Sequence, residues 1–530
     1  MRGLEMNAEA TGLMRKLGPN PEANLNLITD RIRENATGVA TREKLKAYVN
    51  GPMRNQLAAL DGTTRTPVNA MQARIWSSAR ALQNMSKLGG AVLSQFGDLP
   101  IFAQTMRRNG GTYLRGLSDS IAGLLKGRST EERRVITNAL GVYHKTLAGD
   151  LTSRFSISDD SVPGRISTMQ QMFFKLNLMA GWTDSQRAAA SMALANNLSL
   201  HKASDWAGLN PDTKRMLSLY KIDSGKWDII RKAETVDEDG YTYIDPGKLD
   251  SLPDVMFQDY LSSAGRNQSE MAIKRFRREV ADNLRNYYID QTSHAVIEPD
   301  AKTRSIMQQG TRPGTPMGEI ARLVGQFKSF PVAYVQKAMG PEIYGRGSDT
   351  LSQALKNPNG EMTGLAYLVV SAIAFGYISL SAKDLLKGRN PRPPDSAKTW
   401  AAAFIQGGGA GIYGDFLFGE TKNRFGGGPL NTLMGPTIGG TFTSVLDLWG
   451  RARAGDDLAA ASLKTVMSNA PYANLFYTKL ALDYLIMHSI SESLNPGYLK
   501  RMERRIEKEN EQTFWARPSQ NYADPLGIAR

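Results

Sequence analysis

Residues 362–382, MTGLAYLVVSAIAFGYISLSA, contain no charged side chain, in a chain that is 22% charged as a whole. As a helix, such a run extends roughly 31 Å at ~1.5 Å per residue, about one hydrocarbon core. Its apolar residues lie all round the helix, so it belongs either in lipid or at the centre of a large helical core. Gly, Ser, Thr and Tyr dilute its hydrophobicity and leave both destinations open. Ala372 and Gly376 form a small-xxx-small pair suited to close helix packing. Leu365, Leu368, Val369, Ile373, Phe375 and Ile378 are the expected contacts with lipid or another subunit. The flank 383–398 carries Lys383, Lys387, Arg389, Arg392 and Lys398 against Asp384 and Asp395. That excess of cations suits an anionic-lipid surface.

The rest of the composition narrows the setting. The net charge is +14, which favours polyanionic neighbours, nucleic acid or anionic lipid. There is no Cys, which removes a disulfide frame, a thiolate nucleophile and Cys-based zinc sites. The N-terminus, MRGLEMNAEATGLMRKLG, lacks the apolar stretch of a signal peptide, so membrane entry is expected to be post-translational or triggered.

Along the chain the patterning is mainly α, with elongated multi-helix bundles and a Gly-rich hydrophobic helical region near 360–490. Residues 1–70 read as short helices and linkers, 71–250 as a helical domain, and 251–360 as a basic helical domain. The segment 361–492 reads as the membrane-active or core unit and 493–530 as a charged helix and tail. Gly89 and Gly90 permit close helix contact, and Pro100 starts a helix. Residues 237–248, DEDGYTYIDPGK, are the one hairpin candidate, with turn chemistry at Asp239-Gly240. Residues 269–290 form a helix with an apolar stripe of Ile273, Phe276, Val280, Leu284 and Tyr287. Lys274, Arg275, Arg277 and Arg278 flank that stripe and are the candidate phosphate contacts. Pro331 is expected to kink or end the helix that begins near Ile320.

No catalytic, cofactor or metal constellation emerges. Gly409, Gly411 and Gly414 have G-x-G-x-x-G spacing but lack a preceding strand. Asp237, Glu238 and Asp239 fail the EF-hand spacing and read as a solvated turn. His144, His201, His294 and His488 are isolated in sequence, and His488 with Glu492 reads as an ordinary helical pair.

Several strings together carry a resemblance: LGGAVLSQFGDLP (88–100), FFKLNLMAGWTDSQR (173–187), YKIDSGKWDIIR (220–231), DQTSHAVIEPDAKTR (290–304), GQFKSFPVAYVQK (325–337), NAPYANLFYTKLALDYLI (469–486) and LNPGYLKRMERR (494–505). In this order they resemble the C-terminal portion of the large internal virion proteins of tailed, short-tailed-type phages and prophages. The resemblance covers roughly residues 70–520. It implies a protein packed in the virion interior and ejected ahead of the genome. There it would reassemble in the host envelope, at the inner membrane and periplasm, as part of a conduit for DNA. Its implied partners are further copies of itself (a homo-oligomer), other ejection proteins, the host membrane and, non-specifically, DNA. It carries no catalytic residue to this chain. At 530 residues the chain is short for the family and reads as a separate subunit or a fragment of a larger protein. Two other readings stand beside this one: a soluble inner-core or portal-associated virion protein, and an injected enzyme or cell-wall hydrolase fragment.

Overall fold

The computed structural model describes residues 2–125, 164–238, 241–344, 361–407 and 470–523, with a few isolated positions between them. The described architecture is mainly α with a single two-stranded antiparallel hairpin. Three helices at the N-terminus (Arg2–Leu17, Pro21–Asn35 and Val39–Tyr48) precede the body. Helix α1 (Ala70–Lys87) opens the body, and α2 (Leu99–Arg108) has Pro100 in its first turn, where no N–H is needed. Helix α3 (Tyr113–Leu125) lies tight on α2, because a Cβ at Gly116 would stand 2.9 Å from the Ala103 Cα.

Helix α4 (Met179–Leu200) is the central element. Its stretch from Ser185 to Ser199 is buried throughout, which explains the Ala-rich sequence: small side chains let neighbours approach on every side. One neighbour is the hairpin of β1 (Thr235–Glu238) and β2 (Tyr241–Ile244), joined in the register Val236 to Tyr243. The Asn196 Nδ2 and the Ser199 Oγ both donate to the Thr242 carbonyl, at 2.8 and 2.6 Å. The hairpin begins two residues earlier than the sequence pattern indicates. Pro246 opens a 3-10 turn after β2, and the expected turn at Asp239-Gly240 lies outside the described residues.

Helix α5 (Glu270–Ala295) buries the expected stripe of Ile273, Phe276, Val280, Leu284 and Tyr287 against α4 and the hairpin. The main core runs without interruption from Phe102 through Leu249, Phe257 and Leu261 to Ala295. Residues on both sides of position 250 contribute to this core.

The helix beginning at Pro316 ends at Gly325, ahead of Pro331. Phe327 takes a left-handed conformation (φ 68°) and turns the chain, and its side chain enters a second core of Met85, Leu88, Phe173, Phe174 and Leu475. Pro331 then sits in the first turn of the next helix, Ser329–Tyr334.

Two helices complete the part that matters for function: α6 (Glu361–Leu385), which contains the charge-free run, and α7 (Ala397–Gly407). The stretch described from residue 470 packs on the N-terminal body. A Cβ at Gly89 would stand 1.7 Å from the Asn474 carbonyl oxygen, and the Phe476 N–H donates to the Gly89 carbonyl at 3.2 Å. Helices α8 (Phe476–Leu482) and α9 (Tyr498–Asn510) follow.

Candidate membrane-facing site

Helix α6 docks on the body along one row of residues four apart, the ridge geometry of helix packing. Gly364, Leu368, Ala372, Gly376, Leu380 and Asp384 are buried along that row. At its N-terminal end, a Cβ at Gly364 would meet the Glu342 carboxylate at 2.2 Å and the Arg107 guanidinium at 2.3 Å. Leu368 is fully buried among Ile101, Ile297, Phe330, Ala333 and Tyr334. In the middle, α6 and α7 form an antiparallel hairpin whose backbones nearly touch. A Cβ at Gly376 would stand 2.0 Å from the Ala403 carbonyl oxygen, and one at Gly407 would stand 1.8 Å from that of Ala372. The Ala372–Gly376 pair thus meets a second small pair, Ala403–Gly407, across the interface.

The C-terminal end of α6 is held by polar contacts. The Lys383 Nζ donates to the Ser94 Oγ at 2.7 Å, and the buried Asp384 carboxylate pairs with Arg392 at 3.1 Å. The Trp515 Nε1 donates to the Leu385 carbonyl at 3.1 Å, and the Tyr377 hydroxyl donates to the Arg392 carbonyl at 2.8 Å. Arg389 is buried, and burial lowers its pKa below the usual guanidinium range, opposed by Asp384.

The opposite face of α6 is apolar and open. Ala366, Tyr367, Val370, Ala374, Ile378 and Leu385 are exposed, three, four or seven residues apart, on one side of the helix. Val370 is 66% exposed, Tyr367 48% and Ile378 46%. On α7, Trp400 and Phe404 extend this surface, with the Trp400 ring 5.5 Å from that of Tyr377. Only 28% of the most apolar window of α6 is buried, whereas the core helix of a soluble bundle is mostly covered.

The six residues expected to touch lipid or a subunit therefore divide. Ile378 is exposed; Leu365, Val369, Ile373 and Phe375 are half-buried. Leu368 contacts the body instead of lipid in this arrangement, and Ile373 packs beside Leu380 and Ala403. Tyr367, Val370 and Ala374 were not singled out by sequence. A run apolar all round its axis has no facing of its own; the spacing of Gly364, Ala372 and Gly376 is the signal that points to the docked side, and hence to the open one.

The four cations expected at phosphate divide likewise. Lys274 pairs with Glu270 at 2.6 Å. Arg277 is a structural clamp: it donates to the Asp250 carbonyl at 2.5 Å and the Leu252 carbonyl at 3.0 Å, pairs with Asp254, and covers the Phe257 ring at 4.6 Å. Arg275 and Arg278 are exposed and form no ion pair among the described residues. The Gly409, Gly411 and Gly414 spacing and His144 lie outside the described residues. Compared with known proteins, the chain matches no family model, no curated protein and no solved structure.

Proposed function

We propose that this protein associates with a membrane through the open face of α6 and α7, and that it does so as a phage internal virion protein. After ejection into the host envelope it would oligomerise as part of a conduit for genome entry. The observation that carries the membrane reading is the orientation of α6. Its small residues dock it on the body while Tyr367, Val370 and Ile378 face outward, the reverse of what a helix belonging to an aqueous core presents. The phage role is supported by the ordered strings from 88 to 505 and by a net charge of +14, which suits contact with packed DNA.

Flotation of the full chain with phospholipid vesicles tests the membrane reading. The wild type is expected to float, and Val370→Asp with Ile378→Asp to stay in the soluble fraction with an unchanged melting temperature. Equal flotation of both would remove α6 as the contact. Failure of the wild type to float, together with self-association that the same double variant abolishes, would instead support the soluble inner-core reading.

A further inference from the structure

Beneath the C-terminal end of α6 lies a cavity of about 210 Å³. Its wall brings together Lys87 from α1, Lys383 from α6, Lys387 and Arg392 from the segment that follows α6, and Lys479 from α8, against the single carboxylate of Asp384. That carboxylate is engaged by Arg392, and Lys479 reaches outward to Asp483 at 3.1 Å. Lys87 has neither a hydrogen bond nor an ion pair among the described residues. Burial lowers its pKa, and the neighbouring Lys479 lowers it further. A buried ammonium held beside a second one is costly unless an anion enters the cavity.

We infer that this cavity takes the phosphate of an anionic phospholipid headgroup, with Lys87 and Lys479 as its principal ligands. The inference rests on the membrane reading above, since it places the headgroup at the end of the helix that faces acyl chains. Two observations favour lipid over nucleic acid. The cavity is smaller than the roughly 300–1,000 Å³ of drug-sized ligand pockets and far too small to admit a duplex. Exposed Trp400 and Trp515 stand at the same end of the α6–α7 hairpin, the position aromatic side chains take at a membrane–water boundary. A lipid seated here would place its phosphate among the lysines at that boundary.

The test compares binding of the full chain to vesicles of pure phosphatidylcholine and of phosphatidylcholine with phosphatidylglycerol. The wild type is expected to prefer the anionic vesicles by tenfold or more, on the order of two basic side chains acting near a charged surface. Lys87→Gln with Lys479→Gln is expected to erase that preference while leaving binding to neutral vesicles intact. Arg275→Gln with Arg278→Gln, which removes equal charge elsewhere, is expected to keep it. Retained preference in the first pair, or equal loss in the second, would overturn the site. Thermal melting with glycerol 1-phosphate separates the sources. Stabilisation that depends on Lys87 and Lys479, in a protein that binds no vesicle, would assign the cavity to a free phosphate and reject both the lipid ligand and the membrane reading. Competition by a short DNA duplex but not by phosphatidylglycerol would overturn the lipid assignment alone.

Discussion

Gly376 has no room for a side chain: a single methyl would enter the Ala403 carbonyl at 2.0 Å. Gly376→Ala is therefore expected to destabilise the protein by about 1–3 kcal/mol, the range for overpacking, or to prise α7 from α6. Urea denaturation monitored by tryptophan fluorescence checks this, since Trp400 lies on the partner helix. His294 supplies a second residue-level expectation. Burial, and then Arg108, hold its pKa down to about 4, with Asp290 opposing and Lys337 adding to the depression. The unfolded chain takes up that proton near 6.5, so it binds more protons than the folded state between the two values. Stability is thus full above about pH 6.5 and falls as the pH drops toward 4, by on the order of 3 kcal/mol. His488 is shifted in the same direction by burial. Urea midpoints from pH 7.5 to 4.5 should show the decline, and His294→Gln should make it shallower. Neither residue's role was readable in sequence: an isolated His and a Gly in an apolar run acquire meaning only from what folds against them.

Helix α5 shows how far periodicity reaches. Its buried stripe follows directly from the 3.6-residue repeat, because a helix with one apolar side has only one way to face a core. Its cations were less legible, since an ion pair to Glu270 or a clamp on Asp250 and Leu252 depends on the neighbouring chain. If α5 touches DNA, Arg275→Gln with Arg278→Gln should weaken binding to a non-specific duplex and flatten its salt dependence. Lys274→Gln, already paired, should do less; equal effects of the two in a filter-binding titration would count against α5 as the contact. Helix α6 is the opposite case. Its length and lack of charge were plain, but a helix apolar all round its axis does not state which side is covered.

The body is closed by contacts between distant parts of the chain. Arg80 on α1 and Glu319 on the helix from Pro316 form an ion pair in which both side chains are 4% exposed, and Glu319 also accepts from the Gly314 N–H at 2.7 Å. Glu319→Gln removes the carboxylate facing a buried guanidinium and should cost about 3–5 kcal/mol in a denaturant titration. The absence of Cys makes the docking of α6 directly measurable. A single cysteine at Val370 should react with a thiol reagent at once, and one at Leu368 only when α6 leaves the body. Faster modification at Leu368 on adding anionic vesicles would mean that insertion requires undocking; an unchanged rate would mean that the docked face suffices. By itself the sequence determined the helices, the hairpin and the existence of one long apolar run, because these follow from local periodicity and turn chemistry. Only the tertiary structure decided that Tyr367, Val370 and Ile378 face outward, that one core spans residue 250, and that Lys87 and Lys479 meet in one cavity. Those outcomes depend on which backbones can approach within contact distance, and residues far apart in the chain settle that together.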